Sequence, residues 1–287
     1  MKKYIVLLSL AFFYFSQPCF ADSTEEEFLS SSIQLHYLHS DYDITDDEDK
    51  VFIRVSREII PLINLQLQYS HLPADVYAAN LVYKSNANML FFTSYSLMIS
   101  SASAIPDTPS YSLGSVFRFS PKTTCNITLQ YTDVPDITPD VETRDDFDAL
   151  AVYLKIERVL TPKTIGQVRY YVSMQDNDED QEIRLRINQY IFPRTALHTY
   201  YIHNVTADDY RVNAFVGNIL IKILPKTVLK LGNTYQKDSE DLRSNSPKVQ
   251  VSFQFNPTLG MYVSYRYYTD SADITNNNYG TGVHIKF

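Results

Sequence analysis

Apolar and polar residues alternate along most of this chain. Ile63, Leu65, Leu67 and Tyr69 stand on one parity, with Asn64, Gln66, Gln68 and Ser70 on the other. Successive side chains of a strand point to opposite faces, so this spacing predicts a strand with one apolar and one uncharged polar face. Ile33, Leu35 and Tyr37 repeat the pattern against Ser32, Gln34 and His36, as do Val51, Ile53 and Val55 against Phe52, Arg54 and Ser56. The connections between such runs are short and long in turn. The short ones carry proline: Ser120-Pro121-Lys122-Thr123, Thr161-Pro162-Lys163-Thr164, Phe192-Pro193-Arg194-Thr195, Leu224-Pro225-Lys226-Thr227 and Asn256-Pro257-Thr258. Proline fixes φ and lacks the N–H that a central strand needs, so these segments are predicted turns joining hairpins. The long connections are acidic, at 41–49, 133–148, 176–180, 238–241 and 270–278. Counting between these marks predicts sixteen strands, with fourteen as the rival count. Three runs cause the rivalry: 89–99 is apolar on both parities, and 196–204 and 210–223 break phase, the latter around Gly217, which predicts either a bulge or a different strand boundary.

The chain ends Tyr279-Gly280-Thr281-Gly282-Val283-His284-Ile285-Lys286-Phe287, a two-faced strand with no tail. This resembles the closing strand of Gram-negative outer-membrane β-barrels, which end on an aromatic residue, usually Phe, read by the barrel-assembly machinery. The resemblance implies an all-β fold, a closed antiparallel transmembrane β-barrel over residues 31–287, with Phe287 as assembly signal. It also implies lipid outside the apolar parity, a polar interior, short periplasmic turns and acidic extracellular loops. The partners implied are outer-membrane lipid, lipopolysaccharide and the assembly machinery. A soluble β-sandwich would explain the alternation but not the terminal Phe or the long-short rhythm.

The start of the chain agrees with export. Met1-Lys2-Lys3, an apolar stretch from Tyr4 to Phe15, and Cys19-Phe20-Ala21 read as a signal peptide over 1–21, followed by a short periplasmic lead over 22–30. The apolar stretch is shorter than the ~20 residues of a spanning helix. Cys125 is then the sole cysteine of the mature chain and cannot form an intramolecular disulfide. On the lipid-facing parity with Ile127, Leu129 and Tyr131, it is expected to act as a small hydrophobe.

Charge changes the picture most. The chain has 25 Lys and Arg against 33 Asp and Glu, a formal net charge of -8. Yet the parity opposite the apolar one carries Arg54, Lys84, Arg118, Lys155, Arg169, Arg184, Arg186, Arg211, Lys222, Lys230, Lys248, Arg266 and Lys286, against only Glu157 and Glu182. Avoiding hydrocarbon explains why charges point inward, but not why nearly all share one sign. Tyr153, Tyr171, Tyr190, Tyr262 and Tyr268 fall on the same parity. The expectation is an outer-membrane channel with a basic lumen, passing an anionic solute or an anionic saccharide polymer.

Sixteen strands with short loops and tyrosines inside also resemble, in general form, the barrel parts of polysaccharide exporters; a separate periplasmic partner would supply what such exporters carry there. No cofactor or metal is expected, because the crowded acids at 41–49 and 176–180 lack the glycine and terminal glutamate offsets of a calcium loop. Acidic loops also argue against nucleic acid. Two alternatives stay open: a lipid-modifying or proteolytic enzyme using His36, His39, His71 or His203 near the outer strand ends, with Ser40 or Ser70 beside them, and a surface adhesin or receptor. There is no Gly-x-Ser-x-Gly elbow.

Overall fold

A computed structural model describes residues 31–42, 48–60, 62–71, 74–100, 107–134, 147–175, 178–206, 208–272 and 274–286. The signal peptide, the lead over 22–30, the acidic segments 43–47 and 135–146, and Phe287 lie outside the described residues.

The chain forms sixteen strands. In order they are β1 (Ser32–Tyr42), β2 (Glu48–Ile60), β3 (Ile63–His71), β4 (Ala74–Asn86), β5 (Met89–Ser100), β6 (Thr108–Ser120), β7 (Thr123–Val134) and β8 (Phe147–Thr161). The second half is β9 (Thr164–Gln175), β10 (Asp178–Phe192), β11 (Thr195–Val205), β12 (Arg211–Leu224), β13 (Thr227–Asp238), β14 (Arg243–Gln254), β15 (Leu259–Asp270) and β16 (Thr275–Lys286). Every strand pairs antiparallel with its neighbours in sequence, and β16 pairs back to β1 from Ser32↔Lys286 to Tyr42↔Asn276. The sheet is therefore a closed barrel with no free edge, as a bilayer requires of strands.

Alternation decides which side chains meet lipid. Leu67, Leu113, Leu129, Leu185, Phe215 and Val263 belong to an exposed apolar band around the outside. Tyrosines cluster on its loop side, where the tilted rings of Tyr69 and Tyr77, and of Tyr95 and Tyr111, pack against each other, both at 5.2 Å between ring centroids. Tyr83, Phe91 and Phe253 are exposed nearer the short turns. Aromatic residues at both margins of an apolar band are the girdles of a transmembrane barrel. Cys125 takes its expected place on this parity, paired between Phe117 and Ile156 and buried by its neighbours.

The short-turn end, which faces the periplasm in outer-membrane barrels, is built by one repeated device. Register shifts occur between Glu58/Ile60, Lys84/Asn86, Arg118/Ser120, Val159/Thr161, Tyr190/Phe192 and Lys222/Leu224, so the even strands from β2 to β12 bulge just before their turn. Each turn then accepts a hydrogen bond from the next even strand, as Lys122 O does from Val159 N and Arg194 O from Lys222 N, both at 2.8 Å.

Three expectations need correction. Register runs unbroken through Gly217, paired with Thr199 and Asn233, so there is no bulge at that point. The broken phase of β12 comes instead from Val212, Ala214, Val216 and Leu220, apolar residues on the inward parity. Pro247 lies inside β14, opposite Asn233; on its other side, pairing with β15 lapses between Asn245↔Thr269 and Lys248↔Arg266, where proline has no N–H to offer. Asn276, Asn277 and Asn278, read as loop, belong to β16, because pairing on both sides extends the ladder through them.

The doubly apolar run of β5 has its own cause. Leu90 and Phe92 point inward and join Val82 of β4 and Val116 of β6 in a small apolar island. The Phe92 ring lies over Gly114, where a Cβ would fall 2.2 Å from its Cζ.

Candidate functional site: the barrel lumen

Strand register fixes which predicted residues share the interior. Arg54, Lys84, Arg118, Lys155, Arg169, Arg184, Arg186, Lys222, Lys230, Lys248, Arg266 and Lys286 all occupy the inward parity. Tyr153, Tyr171, Tyr190, Tyr262 and Tyr268 do too. Arg211 does not. It pairs with Val205 on the parity of Phe215 and Ile219, so it stands on the outer face at the loop end, exposed. Counting through the irregular pattern of β12 put it on the wrong side. Sequence reading missed Lys50, which pairs with inward Leu38, because it sits where the acidic stretch becomes strand. It also overlooked His198, opposite Asn188 and Asn218 on the inward parity.

Two basic groups emerge. In the first, Lys155, Arg169 and Arg184 lie directly opposite one another on β8, β9 and β10. Arg169 is 1% exposed, its guanidinium 5.8 Å from the centre of the Tyr153 ring. Acids accompany this group: Arg184 pairs with Glu182 at 3.1 Å, and Glu157 accepts from Gln167 Nε2 at 3.0 Å. In the second, Lys248 of β14 faces Arg266 of β15, and Lys230 of β13 sits one diagonal step away, opposite Gln250. Arg186 of β10 extends it; its Nε donates to Asn188 Oδ1 at 2.9 Å and its guanidinium lies 4.9 Å over Tyr200. Like charges directly opposite on a sheet repel one another.

The remaining wall is different. Gln66, Asn80, Ser94, Ser112 and Gln130 occupy one continuous row across β3 to β7, carrying amides and hydroxyls and no charge. With the apolar island beside it, this sector makes the lumen two-sided, with Lys84 and Arg118 on β3–β7 confined to the short-turn end and a denser basic wall from β8 round to β2. Near the seam of closure, His36 Nδ1 and Tyr262 OH share a hydrogen bond at 3.0 Å, in space left by Gly282.

Among the described residues, Ser70 and His71 are not brought together. Ser70 and His71 are neighbours on β3 and therefore on opposite faces, with His71 paired outward to Asp75 at 2.6 Å. His36 is inward and mid-strand rather than at the rim, whereas His203 is on the outer parity opposite Ile183. Among the described residues no group of three His, Cys, Asp or Glu could hold a metal. A groove of about 410 Å³ lined by Ile53, Val55, Leu67, Tyr69 and Ala79 is on the lipid face, outside the lumen.

No protein-family model matches the chain, and no curated protein is significantly similar to it. Solved structures do share its fold. A bacterial polysaccharide outer-membrane secretin is similar at TM-score 0.62 and 11% identity, covering 91% of this chain and 99% of that one. OpdQ of Pseudomonas aeruginosa is similar at 0.59 and 8% identity, covering 90% and 98%. An anion-selective porin from Comamonas acidovorans is similar at 0.52 and 9% identity, covering 90% and 98%. At such identities these likenesses establish the architecture, that of bacterial outer-membrane channels, and leave the cargo to be argued from the residues.

Proposed function

We propose that this barrel is an outer-membrane conduit whose basic lumen favours anionic solutes, including acidic saccharides. One observation carries the reading: Lys155, Arg169 and Arg184 stand in register on three adjacent strands, facing the interior. Such placement costs stability in the empty barrel. An anion in the bore offsets that cost, and the low-dielectric wall around it strengthens the attraction. The net charge of -8 makes this a separation of charge rather than a reflection of composition.

A closed sheet of sixteen strands is wide enough to enclose water. The amides and tyrosines of the wall suit a hydrated solute with hydroxyl groups, since stacking on aromatic faces tolerates changes of register. The similar structures include one named for polysaccharide and one for anion selectivity, both in keeping with this reading. A periplasmic partner would complete the path for a polymer.

In planar bilayers under a salt gradient, the purified protein is expected to pass chloride in preference to potassium. Preference for potassium, or the absence of any conductance, overturns the proposal.

A further inference from the structure

Among the described residues, one of the two basic groups in the wall has no acid paired to it. Lys230, Lys248 and Arg266 lie on successive strands β13, β14 and β15. Lys248 and Arg266 are directly opposite, which places their Cβ atoms about 5 Å apart, and the diagonal step to Lys230 is about 7–8 Å. Lys248 feels the charges of both Lys230 and Arg266, and Lys230 that of Arg186. Among the described residues no carboxylate lies within ion-pair distance of these three side chains. The Lys155–Arg169–Arg184 group differs, with Glu182 bound to Arg184.

Uncharged neighbours flank the cluster. Gly232, paired with Lys248, has no side chain of its own, and the neutral Asn218 amide fills the space over it. Ser246 Oγ receives the Arg266 Nε–H, so that bond does not use the outer nitrogens of the guanidinium. All three residues are half-buried, so bulk water and salt screen their charges less than on an open surface.

We infer that Lys230, Lys248 and Arg266 form a binding station for oligoanions, molecules carrying several phosphates or carboxylates along one chain. The inference rests on the conduit reading above and adds a place where the cargo pauses. A single small anion meets one or two of these groups. A chain with successive charges meets all three at once, and the Arg266 fork can hold one of its oxyanions through two N–H groups. Such a station makes the conduit selective among anions as well as against cations.

Inorganic tripolyphosphate is the probe, with orthophosphate as the monovalent-unit comparison. Tripolyphosphate is expected to block chloride current at concentrations where orthophosphate does not. In the double variant K230Q/K248Q the blocking concentration should rise about tenfold or more, the loss of two charge-assisted contacts. Lys155→Gln should raise it far less, and Lys248→Arg should retain the block.

Titration of the same proteins in detergent micelles reads binding without current, on samples whose heat-modifiable gel mobility shows a folded barrel. Equal weakening by K155Q and K230Q/K248Q, or wild-type micelles that take up no tripolyphosphate, overturns the station. Anion-selective current with an unaltered block in K230Q/K248Q overturns it too, while leaving the conduit standing. Cation preference with tripolyphosphate still bound through Lys230 and Lys248 does the reverse.

Discussion

At the residue scale, the interior is governed by what each inward position has room for. Gly114 is the clearest case. A Cβ there would lie 2.2 Å from Cζ of Phe92 and 2.9 Å from the carbonyl oxygen of Ile127. Phe92 is 2% exposed and locked among Val82, Leu90 and Val116, so its ring has nowhere to retreat. Gly114→Val is therefore expected to destabilise the barrel by about 1–3 kcal/mol, the usual cost of overpacking. The check is a lower temperature for the heat-modifiable gel shift, with Gly217→Val as the contrast, since nothing lies within 4 Å of a Cβ at that position. Equal losses in the two variants would refute the packing argument.

At the scale of elements, two hairpins at the loop end are built alike. Asp238 Oδ1 accepts from the N–H of Glu240 and of Leu242, both at 2.9 Å; Asp270 Oδ1 accepts from Ala272 at 2.9 Å and Ile274 at 3.0 Å. Ser239 and Ser271 then donate their N–H to Arg211 O and Arg243 O, each at 2.8 Å, docking each loop onto the preceding even strand. The recurring Asp-Ser pair at 238–239 and 270–271 is the sequence mark of this device.

The first hairpin has an added clamp, the Tyr210 hydroxyl donating to Asp238 Oδ2. Burial, then the accepting carboxylate, raises the Tyr210 phenol well above its ordinary range. A group whose folded value is raised contributes stability that is complete below its unfolded value, about 10 for tyrosine, and is lost as pH climbs through the folded value. Limited proteolysis by an alkali-tolerant enzyme should find the 208–210 and 238–243 segments protected at neutral pH and opening only in strong alkali. Tyr210→Phe should expose both at neutral pH and flatten the alkaline response. An unchanged digestion pattern in Tyr210→Phe would dismiss the clamp.

At the scale of the whole molecule, the bore is divided lengthwise. Strands β3 to β7 present amides, hydroxyls and the apolar island, with Lys84 and Arg118 near the short turns, whereas the denser basic arc runs from β8 through the seam to β2. Three inward histidines belong to that arc: His36 beside Arg54 and His284, and His198 beside Arg186 and Lys230. Removing charge from the arc, as in Lys155→Gln combined with Lys230→Gln, should lower the preference for chloride over potassium, read as the reversal potential under a salt gradient. A reversal potential unmoved by the double change would dismiss the arc as the source of selectivity.

Much of this was legible in the chain itself. Side chains of a strand alternate strictly, so parity alone assigns lipid or lumen wherever the pattern is clean, as in Ile63–His71. Prolines and acidic runs punctuated the hairpins well enough to count sixteen strands, as the barrel has. Where inward positions turned apolar, as in Val212, Ala214 and Val216, parity lost its contrast and Arg211 was placed on the wrong face. Register could not be read from one strand at a time, because it is a relation between strands set by turns and bulges far from the residues they align. Tertiary structure alone therefore decided that Lys155, Arg169 and Arg184 meet in one row, that Lys248 faces Arg266, and that Glu182 pairs with Arg184 of the first group.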